Sequence, residues 1–199
     1  LLFIKEILFN IMMLLFSIIS IIFLSLSKKK RVGTYTGDFV YKNTKSDYRL
    51  SHLYKKYEEN NIDYIEFIRE TTINNFFVNI YKRKRLAIYF KSIIYFVDLL
   101  TKKSIYKKKP TDFFQSILYN YHNSNVVFIR SIPLIEKILK IIKINKFVLI
   151  SFSSRSAYLA IASKSLNIPT IGIMHGLSQK EYAAQEFIES YNENKKIGC

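Results

Sequence analysis

The chain is short of the residues that several common chemistries need. Cys199 is its only cysteine, so no disulfide can form within it. Its three histidines, His52, His122 and His175, are too scattered for metal-ligand spacing, and no metal is expected. It has no glycine-rich phosphate fingerprint, no G-x-S-x-G elbow and no H-E-x-x-H helix, which removes support for several enzyme classes. Glycine is scarce too, and four of the five fall within or at the end of expected strands. Gly33 and Gly172 read as sharp turns; Gly37 and Gly176 read equally as turns or as places where a ligand approaches the backbone.

Acidic residues are also few, 15 against 31 basic ones, for a net charge of +16. The excess is carried by 24 lysines and only seven arginines, in a chain rich in Ile and Asn. Base readout favours the planar fork of arginine, so nucleic acid is not an expected partner. An anionic membrane surface or a phosphorylated substrate suits a lysine excess as well.

A length of 199 residues accommodates one sizeable domain, or one domain plus a membrane segment. Residues 7–27 carry no charge, and only Asn10 and four serines are polar, which is the length of a bilayer-crossing helix. Lys28-Lys-Lys-Arg31 follows directly, whereas Lys5 and Glu6 cancel on the other side. The expectation is a spanning or half-buried anchor with the remaining chain on the cytoplasmic side. A signal peptide and a buried core helix are the alternatives, though a signal peptide should have its basic region first and a small-residue cleavage site after.

Beyond the anchor, Arg31 to Asp38 reads as a first strand closed by Gly37-Asp38, and Tyr48 to Asn60 as a helix capped by Ser46 or Asp47. Ile62 to Ile68 alternates well enough for a second strand. Residues 72–100 read as one or two helices with Lys82-Arg-Lys-Arg85 exposed, and 102–110 as a basic linker. A short helix is expected over 112–121, while 126–130 suits strand or helix. A further helix should start at Ser131, with Pro133 in its first turn, and bury Ile135, Ile138, Leu139 and Ile142. A last helix is expected over 178–194.

The run Lys146-Phe-Val-Leu-Ile-Ser-Phe-Ser-Ser-Arg155, the helix-sized segment 156–166 and the run Asn167-Ile-Pro-Thr-Ile-Gly-Ile-Met-His-Gly176 form a βαβ pattern with two buried parallel strands. Polar groups at the carboxyl ends of such strands face the crevice where α/β proteins bind ligands. Ser153, Ser154, Arg155, His175 and Gly176 are placed there, and Asp38 and Arg49 belong to the corresponding end of the first strand. His175 suits a phosphate donor, a general base or a structural histidine. Arg155 with the amide groups of a helix start suits an anion, or Ser153 or Ser154 simply caps that helix. Asp38 suits a base for a hydroxyl, or a turn-forming aspartate.

Strand, Ser-Ser-Arg, an Ala-containing helix, then Leu166-Asn-Ile-Pro-Thr-Ile-Gly-Ile-Met-His-Gly176 resembles the amino-terminal domain of bacterial surface-polysaccharide glycosyltransferases of the GT-B fold. Val32-Gly-Thr-Tyr-Thr-Gly-Asp38, Asp47-Tyr-Arg49 and Asn61-Ile-Asp-Tyr-Ile65 are similar to that domain's first βαβ unit. Asn167 stands where the family often has Gly, and Met174 where Gln is common; Asn also accepts the left-handed conformation. The resemblance implies an α/β, doubly wound, mostly parallel, Rossmann-like domain over 31–199, after a membrane-associated helix and basic flank over 1–30. It implies that a carboxyl-terminal donor domain lies outside this sequence. The implied reaction moves a sugar from a nucleotide sugar to a glycan or lipid-linked acceptor, with no cofactor. His175 or Asp38 would be the base; Gly37, Arg49, Ser153, Ser154, Arg155 and Gly176 would line the substrate cleft. A non-catalytic membrane-anchored α/β binding module is the alternative.

Overall fold

The computed structural model describes residues 2–40, 46–69, 71–83, 85–105, 113–150 and 154–173. The chain is α/β, with a five-stranded, all-parallel sheet and an apolar amino-terminal helix, α1 (Leu2–Leu26). The strands are β1 (Arg31–Thr36), β2 (Tyr64–Ile68), β3 (Ala87–Tyr89), β4 (Ile144–Leu149) and β5 (Thr170–Gly172). The helices after α1 are α2 (Ser51–Glu59), α3 (Ile73–Arg83), α4 (Phe90–Ile105), α5 (Phe113–Ile141) and α6 (Ser154–Ser165). The spatial order β3-β2-β1-β4-β5 reverses direction at β1, as in a doubly wound Rossmann-like sheet.

Each strand's period of two divides its side chains between two cores. Tyr35, Ile65, Phe67, Ile88, Phe147 and Leu149 cluster with the inner faces of α4, α5 and α6. Ile135, Ile138, Leu139 and Ile142 form the expected buried stripe there. On the other face, Ile68, Ala87 and Tyr89 meet Phe76 of α3, and Ile150 meets Leu50 and Tyr54 beside α2. Gly33 is explained by this packing, because a Cβ there would lie 2.5 Å from the Phe147 ring.

Helix α1 straddles the free edge of β3 and reaches both cores. Met13 joins the cluster on the α3 face, while Leu14, Ile21 and Leu24 pack against the cluster on the opposite face. Ser17 Oγ accepts a 2.9 Å hydrogen bond from the Tyr89 amide and itself donates to the Met13 carbonyl. An edge amide of β3 is thereby satisfied by a side chain of α1. Arg31 then locks the helix end, donating from Nη1 to the carbonyls of Leu24 and Ile142.

Several sequence expectations are corrected. Residues 72–100 hold a strand, β3, between α3 and α4. Lys102 and Lys103 belong to α4 rather than to a linker. The segments expected as a short helix, an ambiguous run and a capped helix are one helix, α5, which continues through Pro133. Ser131 is not its cap; its hydroxyl donates to the Val127 carbonyl one turn back, 2.7 Å away. Burial of the α5 stripe outweighs the hydrogen bond that Pro133 cannot make. Among the described residues β5 is an exposed edge strand with one neighbour, not a buried one. Asn167 does take the left-handed conformation, at φ 54°, and the amides of Asn167 and Ile168 close the end of α6. The helix expected over 178–194 lies outside the described residues.

Candidate functional site at the carboxyl ends of the strands

β1 and β4 are neighbours whose connections leave in opposite directions, so the crevice of this sheet opens at their carboxyl ends. β5 lies against β4, with Gly172 opposite Leu149 and the Ile173 amide donating to the Leu149 carbonyl at 2.7 Å. The carboxyl ends of β1, β4 and β5 therefore stand in a row. Of the expected site residues, Gly37, Asp38 and Arg49 are described in full at the β1 end. Ser154 and Arg155 open α6 directly after β4. Ser153, His175 and Gly176 lie outside the described residues.

The β1 end is a buried polar network built around Arg83. Its Nη1 donates to Asp38 Oδ1 at 2.8 Å and its Nε to Glu66 Oε2 at 2.7 Å, with the Arg83 side chain 1% exposed. Glu66 Oε1 also accepts from the Asp47 amide at 2.8 Å and from the Tyr54 hydroxyl at 3.0 Å. Asp38 Oδ2 accepts from Thr71, and the Asp38 carbonyl accepts from Asn79 Nδ2 at 3.1 Å. Asp47 accepts from Thr36 and, through both oxygens, from Arg49, whose Nη2 lies 2.6 Å from Oδ2. The Arg49 guanidinium also covers the Phe39 ring, 4.3 Å from its centre.

Electrostatics follow from this burial. Loss of water pushes the Glu66 carboxyl above its ordinary value, against the opposing pull of Arg83, the Asp47 amide and Tyr54. Burial opposes the charge on Arg83, but Glu66 and Asp38 overturn that and hold it more firmly protonated. The Tyr54 phenol is pushed well up, first by burial and then by Glu66. Three acidic side chains thus share two guanidinium groups, and burial makes Glu66 resist losing its proton.

Sequence reading missed Arg83 and Glu66. It took Lys82-Arg-Lys-Arg85 as exposed, yet Arg83 is among the most deeply buried side chains. The available signal was a pair of acids within strands, Glu66 and the end of β1, that needed a partner. Gly37 serves Arg49: a Cβ there would lie 2.8 Å from Arg49 Nη2 and 2.6 Å from the Phe39 ring. Tyr35, Thr36, Gly37, Arg49, Arg69 and Ile150 enclose a cleft of about 20 Å³, room for about one water. Among the described residues no group of three or more His, Cys, Asp or Glu is arranged to hold a metal ion.

No protein-family model, curated protein or solved structure matches this chain.

Proposed function

We propose that this chain is the acceptor-side domain of a membrane-associated glycosyltransferase. The reaction would move a sugar from a nucleotide-sugar donor to a glycan or lipid-linked acceptor in surface polysaccharide assembly. The observation that carries the reading is the strand order. It sets β4 and β5 side by side with their carboxyl ends on the crevice side of a doubly wound sheet, and Ser154 and Arg155 follow β4 in the sequence as Met174-His-Gly176 follows β5. In this reading His175 takes the proton from the acceptor hydroxyl as that oxygen attacks the sugar carbon. The departing nucleotide diphosphate would meet Arg155 and the amino-terminal end of α6.

Asp38 takes a different part from the one its position suggests. Both of its carboxylate oxygens accept hydrogen bonds, from Arg83 and Thr71, so we assign it to holding the β1 rim rather than to proton abstraction. The same commitment of Asp38 and Asp47 favours, as a second reading, a membrane-anchored binding module without catalysis.

The experiment is sugar transfer in membranes carrying the protein, with a panel of labelled nucleotide sugars and analysis of the lipid-linked and polysaccharide fractions. Transfer that falls at least roughly 100-fold in both His175→Ala and Arg155→Ala, at unchanged protein level, is the expected result. Nucleotide-sugar binding with no transfer, or activity unchanged in both variants, favours the binding module. No binding and no transfer with any donor sinks both.

A further inference from the structure

Helix α1 is inside out for a helix packed on a domain in water. Its polar side chains Asn10, Ser17 and Ser20 are turned towards the domain and are 3% exposed or less. The opposite side carries Leu8, Ile11, Leu15, Ile18, Ile22 and Leu26, each between 43% and 77% exposed. Their three- and four-residue spacing makes one stripe, about 27 Å long at 1.5 Å per residue. Ile19 and Phe23 widen it. An amphipathic helix in water has the reverse polarity, and an apolar strip of this extent marks an interaction surface.

The way α1 is held decides how it meets that partner. Its length and composition suit a membrane span. Yet its contacts with the domain run along almost the whole helix, from Phe9 and Phe16 on Phe76, through Ser17 on Tyr89, to Leu24 beneath Arg31. A spanning α1 would carry the β3 edge of the sheet to the middle of the bilayer, where unsatisfied polar groups are costly. Both ends of α1 instead bear cations suited to phosphate headgroups. Lys28, Lys29 and Lys30 are exposed at one end, with Lys29 3.5 Å from Asp63. At the other, Lys5 and Lys91 border a hollow of about 480 Å³ that Glu6, Asn10, Thr71 and Thr72 also line.

We propose that α1 lies in the plane of an anionic lipid bilayer. Its outer stripe sits among the acyl chains at roughly 5–10 Å depth, and its inner stripe stays clasped to β3. The domain is then held flat against one leaflet, and the lysines at both ends meet headgroups. This inference rests on the geometry of α1 and not on sugar transfer, and lipid binding alone reads it.

The test uses the full chain with Cys199→Ser, reconstituted in sealed vesicles of phosphatidylcholine and phosphatidylglycerol. Single cysteines at Leu8, Leu15, Ile22 and Leu26 carry nitroxide labels, and cysteines at Lys5 and Lys28 report access to an impermeant thiol reagent. We expect the four labels to share one shallow depth and both ends to react from the same side. A depth profile that peaks at the helix centre, with the ends on opposite sides, overturns the proposal in favour of a span. Labels out of contact with lipid but close to their counterparts on a second copy overturn it in favour of a dimer. In vesicle flotation, Leu15→Glu and Ile18→Glu should each weaken binding at least roughly tenfold with an unchanged circular dichroism spectrum, since they remove one immersed side chain. Unchanged flotation in both refutes the immersed stripe. Replacing Lys28, Lys29 and Lys30 by Gln should weaken the preference for phosphatidylglycerol, and an unchanged preference refutes the headgroup contact at that end.

Discussion

Replacing Arg83 with Met isolates the contribution of the buried charge cluster. The substitution keeps most of the side-chain volume and removes two charge-assisted hydrogen bonds, to Asp38 at 2.8 Å and to Glu66 at 2.7 Å. It leaves two carboxylates of 3% and 4% side-chain exposure without their cation. Breaking a buried ion pair by removing one partner costs about 3–5 kcal/mol, a large part of the 5–15 kcal/mol that holds a typical domain together. The deficit should depend on pH. Burial already holds Glu66 above its usual 4.5, so its contribution to stability is full below that value and is lost as pH rises through the higher folded-state value. Arg83 opposes that rise, so its removal pushes Glu66 further up and widens the window. Urea unfolding of the lipid-reconstituted protein should therefore show a deficit of about 3–5 kcal/mol near pH 7 that shrinks towards pH 4.5. Lys82→Met, one residue earlier and only half-buried, should change stability by no more than about 0.5 kcal/mol. An Arg83→Met deficit below about 1 kcal/mol, flat with pH, would refute the claim that this cluster holds β1, β2 and α3 together.

Two further substitutions probe the frame around the site. Ser17→Ala strips the acceptor from the Tyr89 amide and should cost about 1–3 kcal/mol in the same unfolding measurement, with faster exchange of that amide hydrogen. Gly33→Ala puts a methyl 2.5 Å from the fully buried Phe147 ring and should cost about 1–3 kcal/mol by overpacking, visible as a lowered Tm.

The order of strands and helices was legible wherever one period dominated. The apolar run of α1, the strands β1, β2 and β4 and the helix α6 all follow from pattern and small-residue boundaries. β3 was not legible because three residues between two helices, with no Gly or Pro beside them, carry no readable alternation. Pro133 misled because local propensity favours a helix start there, whereas tertiary burial of Ile135 and Leu139 carries the helix through. The polar rim at the carboxyl end of β1 was legible from Gly37-Asp38 and Asp47. Its chemistry was less so, because partners 17 and 45 residues apart, Glu66 and Asp38, turn Arg83 from a surface lysine-run member into a buried hub. His175 and Gly176 lie outside the described residues.

The bond between Ser17 and Tyr89 joins positions 72 residues apart, and that separation imposes a timetable on biogenesis. Helix α1 leaves the ribosome long before the strand edge it will cover exists. During that interval the strand edge that will cover its inner side is missing, and a bilayer could take up its apolar surface. Insertion would then precede folding, with the nascent sheet assembling onto a helix already resting in lipid, so that a block in targeting should appear first as a failure to fold.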